Sequence, residues 1–159
     1  MPQLNQLTDV QLINTTHYIN LYRTRYQAKT ITYNKHIAAF SQSYAATLIQ
    51  TKGFKHSGNP LYGENLGFLK GYQNHSCEII RKTIDAWYSE ARKYEFGSEN
   101  AIPGTDHFTQ LCWRNSTQYG IGYAYDPESS IAVVVMNFNP PGNVADTYNA
   151  NVLPPRFMP

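Results

Sequence analysis

The sequence predicts an α+β fold in which helices come first and an antiparallel β-hairpin comes last. Three observations carry this expectation. Apolar residues recur at helical spacing in three stretches between residues 8 and 97. Two runs rich in β-branched and aromatic residues follow at 120–125 and 131–138, joined through the turn signal Asp126-Pro127. No strand alternates with a helix, as a parallel doubly wound sheet would require.

The first helix opens on Thr8-Asp9-Val10-Gln11, a Thr-x-x-Gln capping box. Val10, Ile13, His17 and Leu21 then recur at helical spacing to about Arg25, which predicts that His17 lies on the inner face. A second helix begins at the cap candidate Asn34, carries Ile37, Phe40, Tyr44 and Leu48 on one stripe, and stops at Gly53. Residues 53–74 are rich in Gly, Pro, Asn and Tyr without a period, so they read as a long surface loop, a class of segment that is usually functional or disordered. Ser76 is the cap candidate of a third helix, with Ile80, Ile84, Trp87, Ala91 and Tyr94 on its buried face and Gly97 as its stop. After Pro103-Gly104 a short helix is expected over 107–113, and the two strands complete the pattern. The tail from residue 140 has no period and holds five of the nine prolines. The chain carries no internal repeat.

The length of 159 residues suits a single domain over 1–159 with a core large enough to need no disulfide or metal staple. Thirteen Lys and Arg against eleven Asp and Glu leave a formal charge of +2, with no basic cluster. That balance disfavours nucleic acid as a partner, because neutralising phosphates takes clustered Lys and Arg. The longest uncharged apolar run, 131–136, is far shorter than the roughly 20 residues a membrane span takes. Cys77 and Cys112 are too few for a disulfide framework and lack zinc-knuckle spacing; they pair with each other or stay free. The first residues show no basic segment leading into an apolar one, and Pro2 excludes myristoylation, which demands glycine there. Three sequons, at Asn14, Asn74 and Asn115, are neutral on compartment in a chain so rich in Asn, Ser and Thr.

Four ionisable residues stand where charge is inconvenient for a purely structural role: His56 and Glu64 in the expected loop, Glu90 on the third helix, and His107 in the first turn of the short helix. Glu90 shares a side with Thr83, Trp87 and Tyr94, so its carboxylate borders the core and should want a partner. Asp106, directly before His107, is a neighbour expected to favour the protonated imidazole. Two imidazoles and two carboxylates in one cleft would suit a divalent metal, the histidines as ligands and the carboxylates orienting them or activating water. For any single His or Glu the packing role is the commoner one, and His17, His36 and His75 are read that way. Cys112 is read as packing, since His107 points well away from it around a helix. Ser57 beside His56 is a weak hydrolase signal, because adjacent residues rarely face each other and no G-x-S-x-G elbow exists. Tyr62, Phe68 and Tyr72 are hard to bury in a loop and are candidates for an apolar, lipid-binding lip.

At these same residues the sequence resembles the CAP superfamily (cysteine-rich secretory, antigen 5, pathogenesis-related 1). Asp106-His-Phe-Thr-Gln-Leu-Cys-Trp-Arg-Asn-Ser116 looks like its first signature, and Asn139-Pro-Pro-Gly-Asn-Val144 like the end of its second. Lys55-His-Ser57, Tyr62-Gly-Glu-Asn-Leu66, Ala86-Trp-Tyr-Ser-Glu90, Tyr94-Glu-Phe96 and Asn151-Val-Leu-Pro-Pro155 match in order, so the likeness covers nearly the whole chain. The low cysteine count and the tail are most similar to the Golgi-associated plant pathogenesis-related branch. The resemblance implies an α-β-α sandwich with a central antiparallel sheet. It also implies that His56, Glu64, Glu90 and His107 form the family's cleft tetrad, with His56 and His107 as ligands of a divalent metal, zinc first. Two departures stand out: Asp106 replaces a common glycine, and Met136-Asn137-Phe138 stands where secreted members often carry Cys-x-Tyr.

The function this resemblance implies is non-enzymatic binding of lipid or sterol, by a monomer or weak dimer, with a membrane surface or a protein as further partners. The alternatives are a metal-dependent hydrolase with Glu64 or Glu90 as general base and a defence or signalling module recognising a protein. The expected location is extracellular after secretion, with the cytoplasmic face of endomembranes as the alternative.

Overall fold

The computed structural model describes residues 3–4 and 7–156. Its elements run β1 (Gln3–Leu4), α1 (Asp9–Arg25), β2 (Thr32–Tyr33), α2 (Lys35–Thr51), β3 (Gly63–Lys70), α3 (Ser76–Ser89), a 3-10 turn (Glu90–Lys93), α4 (Asp106–Leu111), β4 (Gln118–Asp126), β5 (Ile131–Asn139) and α5 (Tyr148–Asn151). β4 and β5 form the expected antiparallel hairpin, β3 lies antiparallel beside β5, and β1 lies antiparallel on the far edge of β4. The two-residue β2 adds a parallel pairing on that same edge. α2 covers one face of this sheet, and α1, α3 and α4 cover the other, which is the α-β-α sandwich.

The alternation of β4 explains both layers. Tyr119, Ile121, Tyr123 and Tyr125 pack with Ile19, Ile79, Ile80 and Ile84 of α1 and α3. Gly120 and Gly122 turn the other way, where a Cβ would lie 2.2 Å from the Ala38 nitrogen and 2.4 Å from the Gln42 nitrogen, so α2 rests directly on the strand backbone. Ala45, Leu48 and Ile49 of α2 close this side over Leu66, Ala124, Val133 and Val135.

Several sequence expectations need correction. The capping box at Thr8 forms, with Gln11 N–H donating to Thr8 Oγ1 at 3.1 Å and Thr8 N–H to Gln11 Oε1 at 2.8 Å. The buried face of α1, however, is Thr15, Ile19 and Arg23, while Val10, Ile13 and Leu21 are more than half exposed and His17 is exposed. The inner stripe is partly polar because the Arg23 guanidinium donates to the carbonyls of Lys29, Leu111, Trp113 and Ser116, which satisfies it in full burial. The long loop over 53–74 contains β3, whose strand pattern is hidden because both of its faces are covered by different layers: Leu66 toward α2, Gly67 against Thr83 of α3. Ser76 is the first residue of α3 rather than its cap, its hydroxyl accepting instead from Gln11 of α1 at 2.9 Å. α2 ends with Lys52 in the left-handed conformation (φ 56°), one residue before Gly53. α3 gives way to the 3-10 turn before Ala91 and Tyr94, and α4 ends at Leu111, short of Trp113. Cys77 is exposed, Cys112 is buried, and both are free thiols.

Candidate functional site

The four singled-out residues form two histidine–carboxylate pairs. His56, in the segment between α2 and β3, places Nδ1 2.9 Å from Glu64 Oε1 on the second residue of β3. Ser57 donates its backbone N–H to the same oxygen at 2.8 Å and its hydroxyl to Glu64 Oε2 at 2.7 Å, and Asn137 Nδ2 donates to Oε2 at 3.1 Å. Asn137 faces Glu64 across the β3–β5 ladder and is itself held by Ser41 of α2, whose hydroxyl donates to Asn137 Oδ1 at 2.7 Å. Burial alone would push the Glu64 carboxyl up, but the hydrogen bonds from Ser57, His56 and Asn137 together outweigh it and hold the group below the usual carboxylate range. Glu64 keeps only 8% of its side chain exposed against 64% for His56, so the carboxylate is the fixed member and the imidazole the open one.

The second pair joins the end of α3 to the start of α4. Glu90 opens the 3-10 turn, and its Oε1 accepts the backbone N–H groups of His107 and Phe108 at 3.0 Å each. Thr105, at the cap position of α4, makes no side-chain cap bond, so a carboxylate from another element caps this helix. Glu90 Oε2 lies 2.8 Å from His107 Nδ1, and the His107 ring is stacked on Trp87 with centroids 5.8 Å apart and planes at 10°. The carboxylate that holds the His107 ring is thus Glu90; Asp106 uses its carbonyl to accept from Thr109 and Asn143.

The two pairs meet at β3, where Asn65, next to Glu64, donates through Nδ2 to the His107 carbonyl at 3.1 Å. A carboxylate on Nδ1 favours the tautomer with its proton there and leaves the Nε2 lone pair directed away, the usual arrangement behind a metal-ligating histidine. The donors on offer to a metal are therefore the two Nε2 atoms. Among the described residues, no three His, Cys, Asp or Glu side chains gather as a ready-made metal cage.

Sequence reasoning passed over Asn137, Asn65, Ser41 and the part Trp87 plays against His107. Asn137 could have been found: it is a lone amide in the apolar run of β5, and a fully buried amide demands partners. The three aromatics expected to share a lip each have a different ring or cation neighbour. Tyr62 packs on Phe40 (5.7 Å between centroids), Phe68 on Phe54 (5.2 Å), and Tyr72 lies under Lys82 Nζ (5.6 Å).

A family model described as the cysteine-rich secretory protein family, CAP, matches residues 16–138. Golgi-associated plant pathogenesis-related protein 1 of Homo sapiens is 33% identical over 142 residues, 86% of this chain and 88% of that protein. A pathogenesis-related protein of PR-1 type from Sambucus nigra is 31% identical over 128 residues, 79% of this chain and 74% of that one. Among solved structures, NaASP2 with Zn2+ has a TM-score of 0.75 over 95% of this chain and 88% of that chain at 19% identity, a likeness of fold. Signature residues, sandwich and relatives agree: the chain belongs to the cysteine-rich secretory protein (CAP) family and is of the pathogenesis-related type.

Proposed function

We propose that the chain is a non-enzymatic CAP domain that binds lipid or sterol and holds a divalent cation, zinc first, through His56 and His107. One observation carries the non-enzymatic part of this reading. Every oxygen of Glu64 and Glu90 is already engaged, by His56, Ser57 and Asn137 at Glu64 and by His107 and the first N–H groups of α4 at Glu90, so neither carboxylate is poised to take a proton from water. The carboxylates act as positioning groups, and the imidazole Nε2 atoms are the ligands; a zinc ion there would supply a Lewis-acidic positive charge. The zinc in a solved structure of the same fold supports the choice of metal.

Calorimetric zinc titration of wild type and His107→Ala at neutral and mildly acidic pH tests the cation. Binding that weakens in acid and is lost in the variant is expected, because imidazole must be deprotonated to bind; binding unchanged in His107→Ala would overturn the assignment. The lipid part rests on Phe68, which is 43% exposed and partnered by the still more open Phe54. Phe68→Asp should abolish sterol capture while leaving the circular dichroism spectrum intact, and unchanged capture would remove this residue from the site. Chelator-sensitive turnover destroyed by Glu64→Gln would instead establish the hydrolase. The compartment proposed is extracellular, in keeping with the family's description, and the endomembrane alternative draws on the Golgi-associated human relative. Fractionation of expressing cells separates the two. Among the described residues no helix is long and apolar enough to cross a membrane.

A further inference from the structure

Among the described residues β3 is the edge of the sheet, since the one strand that pairs with it there is β5. Its hydrogen-bonding parity can be read from two contacts. Gly71 N–H donates to Ser130 O at 2.9 Å, one step past the Lys70–Ile131 pair, and Trp87 Nε1 donates from outside the ladder to Leu66 O at 3.3 Å. Backbone groups in an antiparallel ladder turn toward the partner at every second residue. Gly63, Asn65, Gly67 and Leu69 therefore serve β5, and Glu64, Leu66, Phe68 and Lys70 direct N–H and C=O outward. Trp87 covers the Leu66 carbonyl, and among the described residues no hydrogen bond is made to the outward backbone of Phe68 or Lys70.

The flanks of this edge have a definite chemistry. Phe54 and Phe68, 54% and 43% exposed, form an edge-to-face pair on the α2 side. Lys55, Lys70 and Lys82 are all exposed around it, and among the described residues none is in an ion pair. On α3, Glu78 and Asp85 lie about one turn to either side of Lys82 and are engaged elsewhere, Glu78 Oε2 3.7 Å from His75 Nδ1 and Asp85 accepting from the Tyr22 hydroxyl at 2.7 Å, while Glu64 and Glu90 are engaged with histidines.

The geometry points to an edge that accepts an acidic, extended polypeptide segment as an added strand at Phe68 and Lys70. Only an extended main chain offers alternating donors and acceptors at the strand repeat. Phe54 and Phe68 receive an apolar side chain from one face of that strand, and the lysines, none of them in an ion pair among the described residues and Lys82 resting over the Tyr72 ring, select acidic side chains. This inference is independent of the cation reading, because it uses the outward backbone of β3 rather than the imidazoles; it shares Phe54 and Phe68 with the lipid reading, and a peptide with methylated nitrogens separates the two, because lipid capture needs no main-chain hydrogen bonds.

The test is fluorescence anisotropy of the whole protein with a fluorescein-labelled peptide of alternating glutamate and valine. Saturable binding at or below roughly millimolar peptide is expected, weakened about tenfold when alternate peptide nitrogens are methylated, and about tenfold for a lysine–valine peptide. Lys70→Pro removes one outward N–H at an edge position where proline is tolerated, and should also weaken binding about tenfold. The methylated peptide keeps the test decisive on the wild-type protein if that variant misfolds. No saturable binding, equal binding of the methylated peptide, or equal binding of the lysine–valine peptide overturns the proposal. Capture of phosphatidylserine vesicles in place of the peptide would also overturn it, assigning the lysines to a membrane surface.

Discussion

Glu64 shows how one carboxylate can be tuned by its neighbours. Its hydrogen bonds depress its pKa below the unfolded value of 4.5, so the carboxylate contributes stability above that pH and loses it as pH falls through the lower folded value. Glu64→Gln should therefore lower stability at neutral pH and flatten the acid limb of a plot of urea midpoint against pH; an unchanged limb would show that Glu64 does not govern it. Asn137→Ala removes the amide between Ser41 and Glu64 and should cost on the order of 1–3 kcal/mol, because buried partners are left unsatisfied. Chemical denaturation measures that cost directly. His56, Glu64, Glu90 and His107 could all be singled out from the sequence, since each is ionisable in an apolar or Gly-rich setting. Which carboxylate serves which imidazole could not, because each pairing depends on how separate elements approach.

At the scale of elements, glycine sets how closely the layers meet. Gly120→Ala would drive a Cβ into the backbone of α2, whereas Gly67→Ala meets the Thr83 side chain at 2.4 Å, which can turn aside. The thermal midpoint should therefore fall further for Gly120→Ala than for Gly67→Ala, and the reverse order would contradict direct seating of α2 on β4. Local signals located α1, α2 and the β4–β5 hairpin because caps, period and turn residues act over a few positions. The same signals missed β3, where Gly63 and Gly67 interrupt the apolar alternation. Those glycines answer to tertiary neighbours, Gln110 and Thr83, which are distant in sequence.

Across the whole molecule, Arg23 joins the layers. Fully buried in α1, it donates to four carbonyls, among them Leu111 at the end of α4, Trp113 just beyond it and Ser116 before β4, while burial lowers its pKa to about 10. Arg23→Met should destabilise by about 3–5 kcal/mol by orphaning these carbonyls, and Arg23→Lys should recover only part, having no planar fork. A loss below about 1 kcal/mol in a denaturant titration would show that water replaces the guanidinium. The α+β class, the hairpin, the first helix cap and the family are legible in the amino-acid order alone, because they rest on short-range periodicity and on motifs of adjacent residues. Which face of α1 is buried, that 63–70 is an edge strand among the described residues, and that the two histidines are held by separate carboxylates emerge only in the folded chain. Each of those outcomes depends on how separate elements approach, and its free energy exists only once the layers have packed.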